Sequence, residues 1–163
     1  MQRTADIIQL VGHDDSPKRA LEVGKAAEHL VCADLILQGY HAFLSDQGLP
    51  YDVIADDGKR LIKIQVKSTF RPKHLAEIKY TKKYLWHVRR AGKGSKRMIA
   101  GDEFHILALV ALDIRQIAYM PITDKVPSCV TIRPPGPVTK AYRVDPYAKS
   151  IDQYPFSEAL AAI

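Results

Sequence analysis

The most constraining feature of this sequence is the stretch 52–67, where two β patterns flank a turn. Leu61-Ile62-Lys63-Ile64-Gln65-Val66-Lys67 alternates without a break: Ile62, Ile64 and Val66 on one side, Lys63, Gln65 and Lys67 on the other. Asp52-Val53-Ile54-Ala55 precedes it, and Asp57-Gly58 between them is a hairpin signal. With those two residues as the loop, Asp56 stands opposite Lys59 and Asp52 opposite Lys63. Side chains alternate along a strand, so Asp52 then shares a face with Lys63, Gln65 and Lys67, while Val53, Ala55, Ile62, Ile64 and Val66 take the other. One face is hydrocarbon and can pack on a helix. The other gathers an acid, an amide and two lysines, and a one-residue slip would scatter them.

The surrounding pattern supplies the helix. Ser16-Pro17 reads as its start, Ser as N-cap and Pro at the first helical position. It runs to about residue 38, where Gly39 stops it, with Ala20, Val23, Ala27, Leu30, Val31 and Leu37 as its apolar face. Tyr40-His41-Ala42-Phe43-Leu44 is a first strand, 104–112 a buried strand paired with Ile117-Ala118-Tyr119-Met120 across a turn at Asp113, and Cys129-Val130-Thr131-Ile132 an edge strand. Residues 157–162 read as a short terminal helix capped by Ser157. This predicts an α/β chain of the mixed α+β kind, with a central mixed sheet flanked by helices. The 163 residues suit one domain, 1–163, with a core over about 16–121 and a C-terminal extension over 122–163.

Charge is segregated along the chain. Residues 59–97 hold 14 Lys/Arg against the single acid Glu77, and the other residues hold ten bases against 17 acids, so +13 and −7 make the net +6. Such a block repels itself unless a polyanion neutralises it, and phosphates are the obvious partner. Lys63, Arg71, Lys73, Lys82, Lys83, Arg89, Arg90, Lys93, Lys96 and Arg97 are the candidate DNA contacts, and Phe70, Tyr80, Tyr84 and Trp86 lie among them as rings able to stack on bases or wedge a duplex. The bland alternative is a solvated basic face with its aromatics in the core.

Other chemistries are poorly served. The longest apolar run, 106–112, is seven residues, far short of the ~20 of a spanning helix. The N-terminus has no long apolar stretch, and Cys32 and Cys129 make no disulfide framework or zinc spacing, so a reducing cytoplasmic setting is expected. His13, His29, His41, His74, His87 and His105 are scattered, with no HExxH, and no GxSxG, P-loop or dinucleotide fingerprint occurs.

The cluster on the hairpin does have a use. The Asp52 carboxylate suits Mg2+, and the side-chain carbonyl of Gln65 can complete the shell. Lys67 can orient a nucleophile or stabilise charge on a phosphorane. Glu28, one turn after Gly24 on the helix, can hold a water, a bare glycine letting helix and sheet approach closely.

Gly24-Lys25-Ala26-Ala27-Glu28 on a helix, then Pro50-Tyr51-Asp52, then Gln65-Val66-Lys67 resembles the PD-(D/E)xK nuclease superfamily, in particular its group I intron-associated homing-endonuclease branch, whose third motif reads Gln-x-Lys. The likeness covers roughly 16–121, where Ile117-Ala118-Tyr119-Met120-Pro121 resembles the strand that closes the core. It implies a restriction-endonuclease-like fold and cleavage of DNA phosphodiesters that depends on Mg2+, with Mn2+ as a substitute. It implies Asp52 as metal ligand, Gln65 in the second acidic position, the backbone carbonyl of Val66 as a further ligand, Lys67 as catalytic lysine and Glu28 as accessory acid. A neutral amide at Gln65 removes one negative charge and weakens Mg2+ binding, which keeps a second class in view: a DNA-binding module on an inactive nuclease scaffold. A branched-DNA (Holliday junction) resolvase or repair nuclease is the alternative within the enzyme class. Nucleases of this kind usually work as homodimers or homotetramers, and the apolar tail, Pro155-Phe156 with Ala159-Leu160-Ala161-Ala162-Ile163, offers an interface unless it packs on its own core.

Overall fold

The computed structural model describes residues 17–74, 82–88, 103–137 and 149–163. Helix α1 spans Pro17–Leu37. Ala27, Val31 and Leu35, spaced by four, are wholly buried, whereas Leu37 is 87% exposed and Ala20 is also exposed. The buried stripe is therefore narrower than the expected face. Leu37 falls about 80° from the direction of Ala27 and is the last residue of the helix. The stop is as expected. Gly39 has φ +92°, its N–H bonds the Ile36 carbonyl at 3.0 Å, and the Tyr40 N–H bonds the Leu35 carbonyl at 3.1 Å. That paired closure suits glycine and turns the chain straight into the first strand.

Strands β1 (His41–Leu44), β2 (Val53–Asp56), β3 (Leu61–Thr69), β6 (Ile106–Ala111) and β7 (Gln116–Pro121) form a five-stranded sheet in the order β1-β2-β3-β6-β7. Only β3 and β6 run parallel. Strands β4 (Lys73–His74), β5 (Lys82–His87) and β8 (Cys129–Ile132) form a small second sheet in the order β4-β5-β8. A single 3₁₀ turn, Ile151–Gln153, and helix α2, Phe156–Ala161, close the chain.

The register of the β2–β3 hairpin differs from the expected one by two. Val53 pairs with Ile64, Ile54 with Lys63, Ala55 with Ile62 and Asp56 with Leu61. The loop is residues 57–60, not Asp57-Gly58 alone. The Asp57 carboxylate accepts the backbone N–H groups of Lys59 and Arg60, each at 2.9 Å, and the Asp56 carboxylate accepts that of Gly58 at 2.8 Å. These side-chain bonds favour the wider turn. A shift of two is even, so each paired residue of the two strands keeps its face.

That arrangement gives the sheet two cores. Against α1 lie Val53, Ala55, Ile62, Ile64, Val66, Ile106, Ala108, Val110 and Tyr119. Against the small sheet lie Leu107, Leu109, Ala111 and Ala118, which meet Tyr84, Trp86, Val130 and Ile132. Strand β6, buried at every residue, serves both.

Three expectations are corrected here. Tyr84 and Trp86 are each only 1% exposed, with the Trp86 indole N–H bonded to the Val110 carbonyl at 3.2 Å and the Tyr84 hydroxyl to Asp113 at 3.0 Å. They are core residues and cannot stack on DNA; Phe70 is 39% exposed and Tyr80 lies outside the described residues. Helix α2 starts at Phe156 with Pro155, not Ser157, in the N-cap position. The tail packs on its own molecule. Phe156 is buried edge-on against Tyr40 at 4.9 Å and Tyr119 at 5.1 Å, and Arg60 donates to the Leu160 and Ile163 carbonyls. Phe156 and Ala159 are thus spent inside the fold and Leu160 and Ile163 are half-buried against it, while Pro155, Ala161 and Ala162 stay exposed.

Candidate active site

Asp52 precedes β2 and leaves the regular ladder. Its N–H bonds the Ile64 carbonyl at 2.9 Å, although Ile64 is already the partner of Val53. Two residues facing one partner is the pattern of a β-bulge, a device that re-aims a side chain. Here it brings the Asp52 carboxylate onto β3, where Oδ2 accepts the Val66 N–H at 2.7 Å and the side-chain amide N–H of Gln65. The same Gln65 nitrogen lies 3.4 Å from the Val66 carbonyl oxygen. The aspartate, the glutamine and the Val66 backbone therefore converge, with Gln65 buried.

Lys67 and Glu28 complete the group electrostatically. Lys67 is half-buried; burial pushes its pKa below the ordinary lysine value, and the negative charges of Asp52 and Glu28 work in the other direction. Burial pushes Asp52 above the ordinary carboxylate value, against the pull of the Val66 N–H and Lys67, and Glu28 adds to the rise. Asp52, Lys67 and Glu28 thus share one field, although Glu28 comes from α1 and the other two from the hairpin. Glu28 is held by Lys25, whose ammonium lies 2.8 Å from Oε2. This is the surface ion pair that the spacing alone allows, and Lys25 also acts on Asp52.

Gly24 does not work as expected. A Cβ built there would meet nothing within 4 Å, so the glycine allows no close approach of helix to sheet. Other residues of α1 line a cleft of about 620 Å³. Leu21, Lys25 and Glu28 from α1, residues 45–49 of the β1–β2 connection, Tyr51 and Asp52 line that cleft. Tyr51 and the connection were not expected at the site. Tyr51 sits inside the Pro50-Tyr51-Asp52 motif, which is a signal of sorts; residues 45–49 carry none.

Lys63 lies further along β3, its ammonium 5.5 Å above the Tyr51 ring. Its backbone N–H donates to Nδ1 of His105 at 3.1 Å, and its carbonyl accepts the His105 N–H at 2.9 Å. Burial lowers the His105 pKa, aided by Lys63 and Arg60, so the ring is a neutral acceptor that ties the start of β6 to β3. Of the other expected DNA contacts, Arg71, Lys73 and Lys82 are exposed and Lys83 is half-buried. Arg89, Arg90, Lys93, Lys96 and Arg97 lie outside the described residues.

The donor set at the hairpin suits a hard cation. A carboxylate, an amide side chain and a main-chain carbonyl provide oxygens of the kind that Mg2+ takes along with water. Among the described residues no three His, Cys, Asp or Glu side chains group together as metal ligands, as expected when Gln65 stands where an acid would. Among them, too, no helix is long and apolar enough to cross a membrane.

Comparison with known proteins places the chain in a family. The family model for PD-(D/E)XK endonuclease matches residues 19–152. The solved structure of the bacterial homing endonuclease I-Ssp6803I superposes with a TM-score of 0.63 at 16% identity, covering 85% of this chain and 90% of that one. The solved Hjc Holliday junction resolvase of Archaeoglobus fulgidus superposes with a TM-score of 0.41 at 14% identity, covering 68% of this chain and 83% of that one. No curated protein sequence matches.

Proposed function

Because the chain belongs to the PD-(D/E)XK endonuclease family, we propose that it is an endonuclease that hydrolyses DNA phosphodiester bonds with Mg2+, or Mn2+ in its place, in the manner of a homing endonuclease. The observation that carries this reading is the meeting of Asp52, Gln65 and the Val66 backbone beside Lys67 and Glu28.

Asp52, the Val66 carbonyl and Gln65 are the residues that would hold the cation. The Gln65 amide can turn over to present its oxygen, and two oxygens face each other favourably only with positive charge between them. A bound divalent ion supplies polarisation of the phosphodiester and a lowered pKa for a water in its shell. Lys67 donates hydrogen bonds to the attacking water or to the non-bridging phosphate oxygens, and its ammonium offsets the negative charge that builds as the P–O bond breaks. Glu28 orients a second water towards Asp52. One such site cuts one strand, so a double-strand break takes two copies in a homodimer or homotetramer.

Supercoiled plasmid incubated with the protein should be nicked and linearised with Mg2+ or Mn2+ and left intact in EDTA. Cleavage in EDTA, or none with either metal, overturns the reading. The second reading is the binding module without catalysis. The neutral Gln65, bonded to Asp52, favours it. It predicts DNA binding with no heat of Mg2+ binding in isothermal titration.

A further inference from the structure

The small sheet has two unlike faces. Tyr84, Trp86, Val130 and Ile132 turn inward and are buried. By alternation Lys83 and Leu85 on β5, both half-buried, and the exposed Thr131 on β8 take the opposite face. The β4–β5 register sets Lys73 directly opposite Lys83, and His74 opposite Lys82. Like charges directly opposite destabilise a sheet. The chain supplies little to offset them: in residues 68–101 the only acid is Glu77. Among the described residues, none of the ion pairs includes Lys73, Lys82 or Lys83.

The face also stands close to the hairpin site. Gln65 and Lys67 align with Leu107 and Leu109, whose side of the central sheet is the one the small sheet covers. Lys73 follows Lys67 by six residues, a span of at most about 20 Å. That is well under the roughly 34 Å of one turn of B-DNA.

We propose that the solvent face of the small sheet, centred on the opposed pair Lys73 and Lys83, is the surface that lies on the phosphates of duplex DNA. This rests on the nuclease reading and assigns it a docking face separate from the hydrolytic group. The repulsion between the two lysines is then relieved only in the complex, when phosphates come between them.

The test is fluorescence anisotropy with a labelled 30-base-pair duplex in EDTA, so hydrolysis does not enter. Lys73→Ala with Lys83→Ala should weaken binding roughly ten- to thirty-fold near physiological salt and flatten the log–log salt slope by about 1.8. Lys59→Ala, in the turn before β3, should change neither. Unchanged affinity and slope in the double variant, an equal loss in Lys59→Ala, or tighter binding of the wild type to the single strand each overturns the proposal.

Lys73→Glu supplies a second readout, because it turns a repulsive pair into an attractive one. Its melting temperature should rise by roughly 1–3 °C while its DNA affinity falls. A lower melting temperature would remove the repulsion from which the inference starts. Because binding is read without metal and cleavage is read on plasmid, failure of the docking face and failure of the nuclease reading are told apart.

Discussion

The central sheet treats its two sides differently. Towards α1, strands β2 and β3 present Val53, Ala55, Ile62, Ile64 and Val66, all buried, with Ala27, Val31 and Leu35 above them. Towards the small sheet, β6 and β7 are again apolar, but β3 presents Lys63, Gln65 and Lys67. The same strand is thus anchored by one face and carries charged and polar groups on the other. The first face gains stability from hydrocarbon burial. The second holds charges that burial opposes, as the upward shift at Asp52 and the downward shift at Lys67 both show. A site of this kind costs stability until substrate or cation arrives.

If the two faces divide stability from chemistry in this way, substitutions on each should fail differently. The largest effect belongs to Lys67. Lys67→Ala should lower Mg2+-dependent nicking roughly a hundred- to thousand-fold while leaving duplex affinity nearly unchanged. Plasmid cleavage beside anisotropy checks it, and unchanged cleavage would break the division.

On the helix side, Leu35→Ala should cost roughly 2–5 kcal/mol of stability, because a wholly buried side chain leaves a cavity. Urea unfolding should show a lower midpoint with little change in slope. Nicking per folded molecule should stay near wild type.

Asp52→Asn sharpens the contrast most finely, since it should stabilise the protein while abolishing cleavage. In EDTA near pH 7 its melting temperature should exceed that of the wild type by roughly 1–3 °C. The folded Asp52 keeps its proton at pH values where the unfolded chain has lost it. Wild-type stability relative to the Asn variant therefore falls as pH rises from the ordinary carboxylate value through the raised one, and levels off above it. Melting curves of both proteins across that window check the sign. Added Mg2+ should reverse the order by stabilising the wild type alone. A destabilised Asn variant in EDTA would mean that Asp52 is a structural carboxylate. Asp34 is one of that kind, where the Tyr119 hydroxyl and the Gln38 amide satisfy it at 2.6 and 2.7 Å.

The hairpin was legible because its information is local. Alternation assigned Gln65 and Lys67 to one face even though the turn is two residues longer than Asp57-Gly58 suggests; Asp52 lies outside the ladder and reaches that face through a bulge. Parity survives an even slip, and the extra residues come from carboxylate bonds inside the loop. The same local logic found the glycine stop at Gly39 and the pairing of β6 with β7. It failed where exposure depends on a distant partner. Leu37 has the right chemistry for the α1 face but stands exposed at the helix end, and Tyr84 and Trp86 have the right neighbours for a DNA surface but lie under β6. Gly24 looked like a point of close packing, yet a Cβ there would meet nothing within 4 Å.

The sequence by itself determined the strand faces, the helix end and the basic block, because each follows from backbone geometry or from charge order along the chain. Only the tertiary structure decided that Glu28 shares a field with Asp52 and Lys67, that a bulge turns Asp52 onto Val66, and that the tail folds back on its own core. Those outcomes depend on contacts between residues far apart in sequence. No local pattern encodes them until the sheet has formed and the helix has settled on its apolar face.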